Sequence, residues 1–341
     1  MSTSSDTGAV PIIAIVGPTG VGKTDTAMAV ASRIDGEIVS ADSMQIYRGM
    51  DIGTAKPSPD DRRRVRFHLI DVVEPGERYT VAQFQRDAEA AIADIVGRGK
   101  TPILCGGSGL YVRAVVDHYA FPPESPDLAL REELCAEAER EGPARLHARL
   151  AELDPVAAAH IHPHNVKRVI RALEICLVEG QPVQQAQKVD AHPLMPYNAA
   201  FYGLTIARRR LYERIEKRFD EMLAAGLVAE VRGLLASGCR PGSQSLQALG
   251  YKHIVAYVRG RLTYAEAVRL AKRDTRRYAR RQYTWFRRDR RIQWLDLDEV
   301  GGPEGAADLI CEAHPPGAPS QALVEGHAHA RNSRGCPTVR G

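Results

Sequence analysis

A doubly wound parallel α/β sheet interrupted by an all-helical insertion is the fold class this 341-residue sequence predicts. Three observations carry it. Short apolar runs at Pro11 to Val16, Glu37 to Ser40 and Pro102 to Cys105 alternate with stretches of helical spacing, as βαβ units do. The first run leads into Gly17-Pro18-Thr19-Gly20-Val21-Gly22-Lys23-Thr24, a G-x-x-x-x-G-K-[ST] loop set between a strand and a helix. From Leu128 to Gly180 the chain is rich in Ala, Leu, Glu and Arg at helical spacing, with no strand-like run.

Residues 1–10 are expected to be disordered, and 11–121 to form the first part of a core resembling the P-loop NTPases. In that part the strand Pro11 to Val16 is followed by a helix from Thr24 to Arg33, a strand at Glu37 to Ser40 and a polar loop through Lys56. The strand Pro102 to Cys105 breaks at Gly106-Gly107-Ser108-Gly109 and continues as a helix to about Val116. Residues 122–198 read as the helical insertion, closed by a loop at Pro193 to Pro196. Residues 199–300 return to the core, with a strand at Phe201 to Ile206, helices through Arg288 and a strand at Ile292 to Leu297. Eight of the thirty residues from Glu312 to Gly341 are Pro or Gly, so 301–341 is expected to be a disordered tail.

Apolar content of 44% and charged content of 26% are those of an ordinary globular protein. No apolar run approaches the ~20 residues that span a bilayer, and Met1 to Val10 lacks a basic n-region and an apolar h-region. No membrane association, no signal peptide, a cytoplasmic location and a monomer are expected. The six cysteines form no C-x-x-C pair, which predicts free thiols, several of them core fillers. His160, His162 and His164 have no acidic or thiol ligand at a supporting spacing and read as a solvated loop. The net charge of +4 hides an asymmetry: Arg261 to Arg291 holds twelve Lys/Arg against three Asp/Glu, a net +9, and leaves −5 elsewhere. A polyanion contact at one place follows from that split.

The Gly-rich loop lets backbone N–H groups converge on phosphate oxygens at a helix N-terminus, with Lys23 neutralising terminal phosphates and the Thr24 hydroxyl offered to Mg²⁺. It predicts a bound di- or triphosphate without saying which. Asp71 in Phe67-His-Leu-Ile-Asp71 reads equally as a metal-side carboxylate or a structural turn. Asp42 and Ser108 follow predicted strands, where doubly wound sheets bind ligands. Asp42 reads as a general base or as an N-cap or Asx turn, and Ser108 as a substrate-side hydroxyl or a helix N-cap. Arg218 falls inside the apolar stripe of Leu211, Ile215 and Met222, so its guanidinium needs an anionic partner, either a carboxylate or a phosphate. A helix opened by the capping box Thr263-Tyr-Ala-Glu266 carries Ala267, Ala271, Tyr278, Gln282 and Trp285 on a weakly apolar face. Arg276, Arg277 and Arg280 stand among the basic residues around it, which points to a nucleic-acid backbone.

The sequence resembles the tRNA dimethylallyltransferases (tRNA isopentenyltransferases) of the shorter, bacterial type. The resemblance rests on the loop above, the block Ser40 to Pro57, His68-Leu-Ile-Asp71, Gly106-Gly-Ser-Gly-Leu-Tyr111, Asn165 to Glu174, Arg214 to Phe219 and Gly250-Tyr-Lys252, and spans about Ile12 to Leu297. It implies transfer of a dimethylallyl group from dimethylallyl diphosphate to N6 of the adenosine 3′-adjacent to the anticodon of tRNA, with diphosphate leaving. The position of Asp42 is implied to accept the N6 proton, with the stretch Ser40 to Gln45, and in it Asp42, Ser43, Met44 and Gln45, against the adenosine. Lys23, Thr24 and Arg218 correspond to diphosphate-side groups, which favours phosphate as the partner of Arg218. Ser108 matches a position near the reacting carbon, where many members carry Thr. Arg131, the stretch Lys167-Arg168-Val169-Ile170-Arg171 and the stretch Gln247-Ala248-Leu249-Gly250-Tyr251-Lys252 match positions on the side of the tRNA anticodon stem-loop. Two alternatives stand beside this reading. An isopentenyltransferase acting on free adenylate would need neither the basic helix nor the insertion, and an RNA-binding P-loop NTPase would need a firmer Mg²⁺-binding Asp than Asp71.

Overall fold

The computed structural model describes residues 9–119, 121, 128–180, 182 and 197–315. It divides into a sheet unit, taking in residues up to Asp117 and from Met195 onward, and a helical unit, His118–Leu194.

In the sheet unit the strands are β1 (Val10–Val16), β2 (Gly36–Ser40), β3 (Phe67–His68), β4 (Thr101–Gly106), β5 (Tyr197–Thr205) and β6 (Gln293–Asp296). All pair in parallel, in the order β3-β2-β4-β1-β5-β6. β1 is apolar throughout because it is covered on both faces. Ile13 and Ile15 pack with helix α1 (Lys23–Ile34), while Ile12, Ala14 and Val16 belong to the layer that includes Phe84 and Ile92 of α3 (Val81–Gly97). Each of these isoleucine and valine side chains, fully buried, contributes about 1.5–3 kcal/mol. Helix α2 (Pro59–Arg64) opens with a capping box from Ser58 and Asp61, and α4 (Gly109–Val116) follows β4.

The helical unit holds α5 (Leu128–Glu141), α6 (Pro143–Leu153), α7 (Pro155–His160) and α8 (Val166–Glu179). Its own small core gathers Leu134, Leu146, Leu150, Val169 and Leu173. His160, His162 and His164 are exposed, and no group of three or more metal-ligating side chains occurs among the described residues.

The chain returns to the sheet through β5, which starts at Tyr197, four residues before the predicted strand. Then come α9 (Arg208–Ala224), α10 (Leu227–Ala236), a single 3₁₀ turn (Ser245–Gln247), α11 (Tyr251–Val258) and α12 (Tyr264–Phe286). The Thr263–Glu266 capping box opens α12 as the sequence predicts. Trp285, expected on its apolar face, is 40% exposed; Ala279 and Phe286 are buried with Ala267, Ala271 and Gln282.

The expected disordered tail is corrected over its first part. Residues Gly302–Ala313 form helix α13, with Pro303 in its first turn and Ala306, Ala307 and Ile310 fully buried in the α1 layer. Arg33 of α1 bonds Glu304 at 2.7 Å. Residues 316–341, the loop Pro193 to Pro196 and the first eight residues lie outside the described residues. No described helix is long and apolar enough to cross a membrane.

Candidate active site

The strand order sets the site. β2, β4 and β1 lie side by side and parallel, so their C-terminal ends, about 4.8 Å apart, deliver Asp42, Gly106-Gly107-Ser108 and the Gly17–Thr24 loop to one edge. The ends are tied together: Ala41 N–H donates to Cys105 O (2.8 Å) and Ser108 N–H to Ala41 O (3.3 Å). Gly106 has to be glycine, since a Cβ there would lie 2.1 Å from the Ala41 carbonyl oxygen. Above this edge is a cavity of about 460 Å³. Thr19, Gly20, Lys23, Thr24, Asp42, Ser43, Met44, Gln45, Arg218, Gln247, Ala248, Leu249 and Lys252, all expected from the sequence, line it.

The loop has the features of an anion cradle. Gly22, at φ +116°, gives up its N-cap position to a left-handed turn and leaves α1 without a side-chain cap. Among the described residues the N–H groups of Gly20, Gly22, Lys23 and Thr24 have no acceptor, and neither does the Thr24 hydroxyl. The Lys23 ammonium folds back on Pro18 O at 2.8 Å. Burial pushes its pKa down to about 8, an effect Cys105 and Asp42 oppose and Arg218 reinforces. Arg218 has no ion-pair or hydrogen-bond partner among the described residues, so the carboxylate partner its position invited is not there. Burial lowers its pKa, against the attraction of Asp42, Asp25 and Glu221. Two cations therefore face one cavity with no carboxylate bonded to either.

Asp42 forms an Asx turn at the edge of the cavity. One carboxylate oxygen accepts Met44 N–H at 2.9 Å, an Asx turn that fixes the side chain, and the residue still lines the cavity. Ser108 occupies the N-cap position of α4 without capping it. Its hydroxyl oxygen instead accepts Ser43 N–H (3.2 Å) and lies 3.3 Å from Ser43 Oγ, which ties the Gly-Gly-Ser turn to the Asp42 loop. Gln45 is held by Ser40 Oγ at 3.0 Å and donates to Thr54 O and Ala55 O, both at 3.3 Å. Farther along, the Glu230 carboxylate accepts Asp51 N–H (2.9 Å), Ile52 N–H (2.8 Å) and Gly53 N–H (3.3 Å), and the Tyr251 hydroxyl at 2.5 Å. Burial and Glu230 raise the Tyr251 phenol well above its ordinary value.

Asp71 resolves as structural. Its oxygens bond Lys56 Nζ (2.5 Å) and Arg62 Nη1 (2.8 Å), and it does not line the cavity. Burial works against its ionisation, yet the two cations hold its carboxyl below the usual range.

Sequence reasoning missed what α12 puts into the site. Thr275, Tyr278, Arg281 and Gln282 line the cavity, as does Cys105, whose thiol burial pushes up to about 12. Burial, with the charge of Asp42 behind it, lifts the Tyr278 phenol to about 12. Buried Gln282 accepts Thr19 N–H on Oε1 and donates from Nε2 to Gly107 O, each at 2.9 Å. The helical period put Tyr278 and Gln282 on the inward face; which loops that face meets is set 175 and 263 residues away.

Several expected contacts take other roles. Arg276 pairs with Glu216 and lies over the Tyr212 ring, 5.9 Å from its centroid, whereas Arg277 and Arg280 are exposed. Tyr251 is fully buried and Gly250 is the buried N-cap of α11, so neither side presents a surface. Val21 is likewise fully buried under the loop. In the helical unit Val169 and Ile170 point into the core, and Lys167, Arg168 and Arg171 are exposed. Arg131 is committed to buried Glu174, Nη2 to Oε2 at 2.6 Å.

Comparison with known proteins places these features in a family. The IPP transferase sequence model matches residues 45–289, and an isopentenyl transferase model matches residues 10–76. The chain is 51% identical to a tRNA dimethylallyltransferase of Desulforudis audaxviator over 301 residues, 88% of this chain and 96% of that one. Identity to the tRNA dimethylallyltransferase of Symbiobacterium thermophilum is also 51%, over 86% of this chain and 91% of that one. The crystal structure of a full-length tRNA isopentenylpyrophosphate transferase from Bacillus halodurans superposes with a TM-score of 0.67 at 41% identity, covering 94% of this chain and 99% of that one. A eukaryotic dimethylallyltransferase crystallised acting on tRNA gives 0.74 at 27% identity, over 89% and 78%.

Proposed function

The chain belongs to the IPP transferase family and prenylates tRNA, and from that premise we propose that its substrates are dimethylallyl diphosphate and the adenosine 3′-adjacent to the anticodon. The observation that carries the diphosphate is the pairing of Lys23 and Arg218, two cations with no bonded carboxylate, beside a loop of unsatisfied N–H groups. Such a set stabilises the charge that builds on a departing diphosphate. Met44, Ile215, Phe219, Met222 and Leu249 give the same cavity an apolar wall suited to an allyl chain.

In the reaction the exocyclic N6 attacks C1 of the allyl group, the C1–O bond breaks, and diphosphate leaves into the cradle. Asp42 accepts the proton lost from N6, its other oxygen anchored by Met44 N–H so that the acceptor oxygen keeps its direction. Ser108, Ser43 and Gln45 hold the rim against which the adenine lies. The base is extruded from the anticodon loop to reach the cavity, whose lining includes Gln247, Ala248, Leu249 and Lys252. The exposed Arg277 and Arg280, with Lys167, Arg168 and Arg171 of the helical unit, contact the tRNA backbone.

The site also fits Mg²⁺. The Thr24 hydroxyl lines the cavity without a hydrogen-bond partner among the described residues, and no cluster of three metal-ligating side chains occurs there. A cation drawing most of its oxygens from phosphates and water is what Mg²⁺ accepts. Held by Thr24, it would supply charge neutralisation on the leaving diphosphate.

The test is competition between acceptors. Labelled dimethylallyl diphosphate incubated with tRNA and AMP should label tRNA alone, and label in AMP would overturn the proposal.

A further inference from the structure

The Gly-rich loop alone accommodates a di- or a triphosphate, and the geometry around Gln282 distinguishes them. Pro18 has no N–H, and the Thr19 N–H is taken by Gln282 Oε1 at 2.9 Å. Val21 N–H turns back toward Pro18 O at 3.4 Å. The donors left without an acceptor among the described residues, Gly20, Gly22, Lys23 and Thr24, all lie toward the α1 end of the loop. At the strand end the cavity wall is the Gln282 carboxamide. Its oxygen points at Thr19, so an anion arriving there meets a second acceptor in place of a donor.

Gln282 cannot easily step aside. Nε2 donates to Gly107 O at 2.9 Å, and it lies so close on that turn that a Cβ at Gly107 would be 2.3 Å from it. The residue is buried, and its neighbours Ala279 and Phe286 on α12 are buried as well.

We infer that Gln282 is a specificity-determining residue: by occupying Thr19 N–H and the strand end of the loop, it makes the cradle selective for a diphosphate over a triphosphate. The inference rests on the proposed use of an allyl diphosphate and extends it to how the loop, shared in form with nucleoside-triphosphate sites, excludes the longer chain.

The experiment measures binding of inorganic diphosphate and of tripolyphosphate to the full chain by calorimetry, for the natural protein, Gln282→Ala and Gln282→Glu. The natural protein should prefer diphosphate by about tenfold or more although tripolyphosphate carries more charge. Gln282→Ala frees Thr19 N–H, and the preference should fall by roughly tenfold, the worth of one hydrogen bond to a charged oxygen. Gln282→Glu keeps an acceptor for Thr19 N–H and loses the donor to Gly107 O, so its preference should hold, whereas a role confined to bracing Gly107 would lose it. Equal binding of both anions by the natural protein overturns the inference. So does a parallel loss of preference in both variants, the mark of a merely structural role. Should Gln282→Ala fail to fold in a thermal melt, the natural protein and Gln282→Glu decide alone: a lower preference in the glutamate variant overturns the inference. Prenyl transfer to tRNA is assayed on the same preparation. Its absence with the diphosphate preference intact strikes the proposed reaction, and transfer without the preference strikes the selectivity.

Discussion

Lys23 makes the site sensitive to pH in a direction that can be worked out. Burial lowers its pKa from 10.5 to about 8. With that pKa the ammonium is about nine-tenths charged at pH 7 and about one-tenth charged at pH 9. Diphosphate affinity that depends on this charge should weaken by about tenfold across that range. Lys23→Arg stays ionised throughout and cancels the titration of the ligand itself, so the ratio of the two affinities carries the signal. Calorimetry at pH 7, 8 and 9 on both proteins is the assay. The linked stability has the opposite slope. The folded pKa lies below the unfolded one, so folding releases a proton between about pH 8 and 10.5, and the ligand-free protein should gain stability across that window relative to Lys23→Met. Parallel affinity profiles for the natural protein and Lys23→Arg would refute the reasoning.

Asp42→Asn keeps the oxygen that Met44 N–H uses, so tRNA binding should survive while the single-turnover rate drops by about 10²–10⁴-fold; an unchanged rate removes Asp42 as the base. Glu230→Gln turns one of its oxygens into a donor facing the Asp51–Gly53 N–H groups, and should lower stability by roughly 1.5–3 kcal/mol in a urea titration; no change would mean the loop is held by other contacts. Replacing Arg277 and Arg280 with Gln should reduce the salt dependence of tRNA binding by about two phosphate contacts with the melting temperature unchanged. Arg276→Gln, which also breaks the pair with Glu216, should by contrast lower the melting temperature; equal melting would show that pair to be idle.

Features written locally in the chain were legible in advance. The Gly-rich loop between an apolar run and a helix, the Asp42 position after β2 and the Thr263–Glu266 box each depend on a few consecutive residues, and each stands where the pattern put it. Arg218 was visible as a charge inside an apolar stripe, though that no carboxylate among the described residues bonds to it only appears in three dimensions. Asp71 could not be assigned from its neighbours, because the cations that claim it come from the Lys56 loop and α2. Gln282 was placed on the inward face of its helix but without a role, since its partners come from the other end of the chain. Helix α13 was lost to averaging: the Pro- and Gly-rich stretch after it masked Pro303 at a helix start and the Ala306, Ala307, Ile310 stripe. Val169, Ile170 and Tyr251 show the converse error, in which a stretch expected to meet a ligand includes the residues that hold its exposed neighbours in place.

The most direct measurement is a nucleoside digest of tRNA after reaction with labelled dimethylallyl diphosphate. If the Lys23–Arg218 cradle releases diphosphate while Asp42 deprotonates N6, the label appears on a single N6-alkylated adenosine, the one 3′-adjacent to the anticodon, with one diphosphate freed per label. Label on another nucleoside, or diphosphate freed without any label in the tRNA, would contradict it.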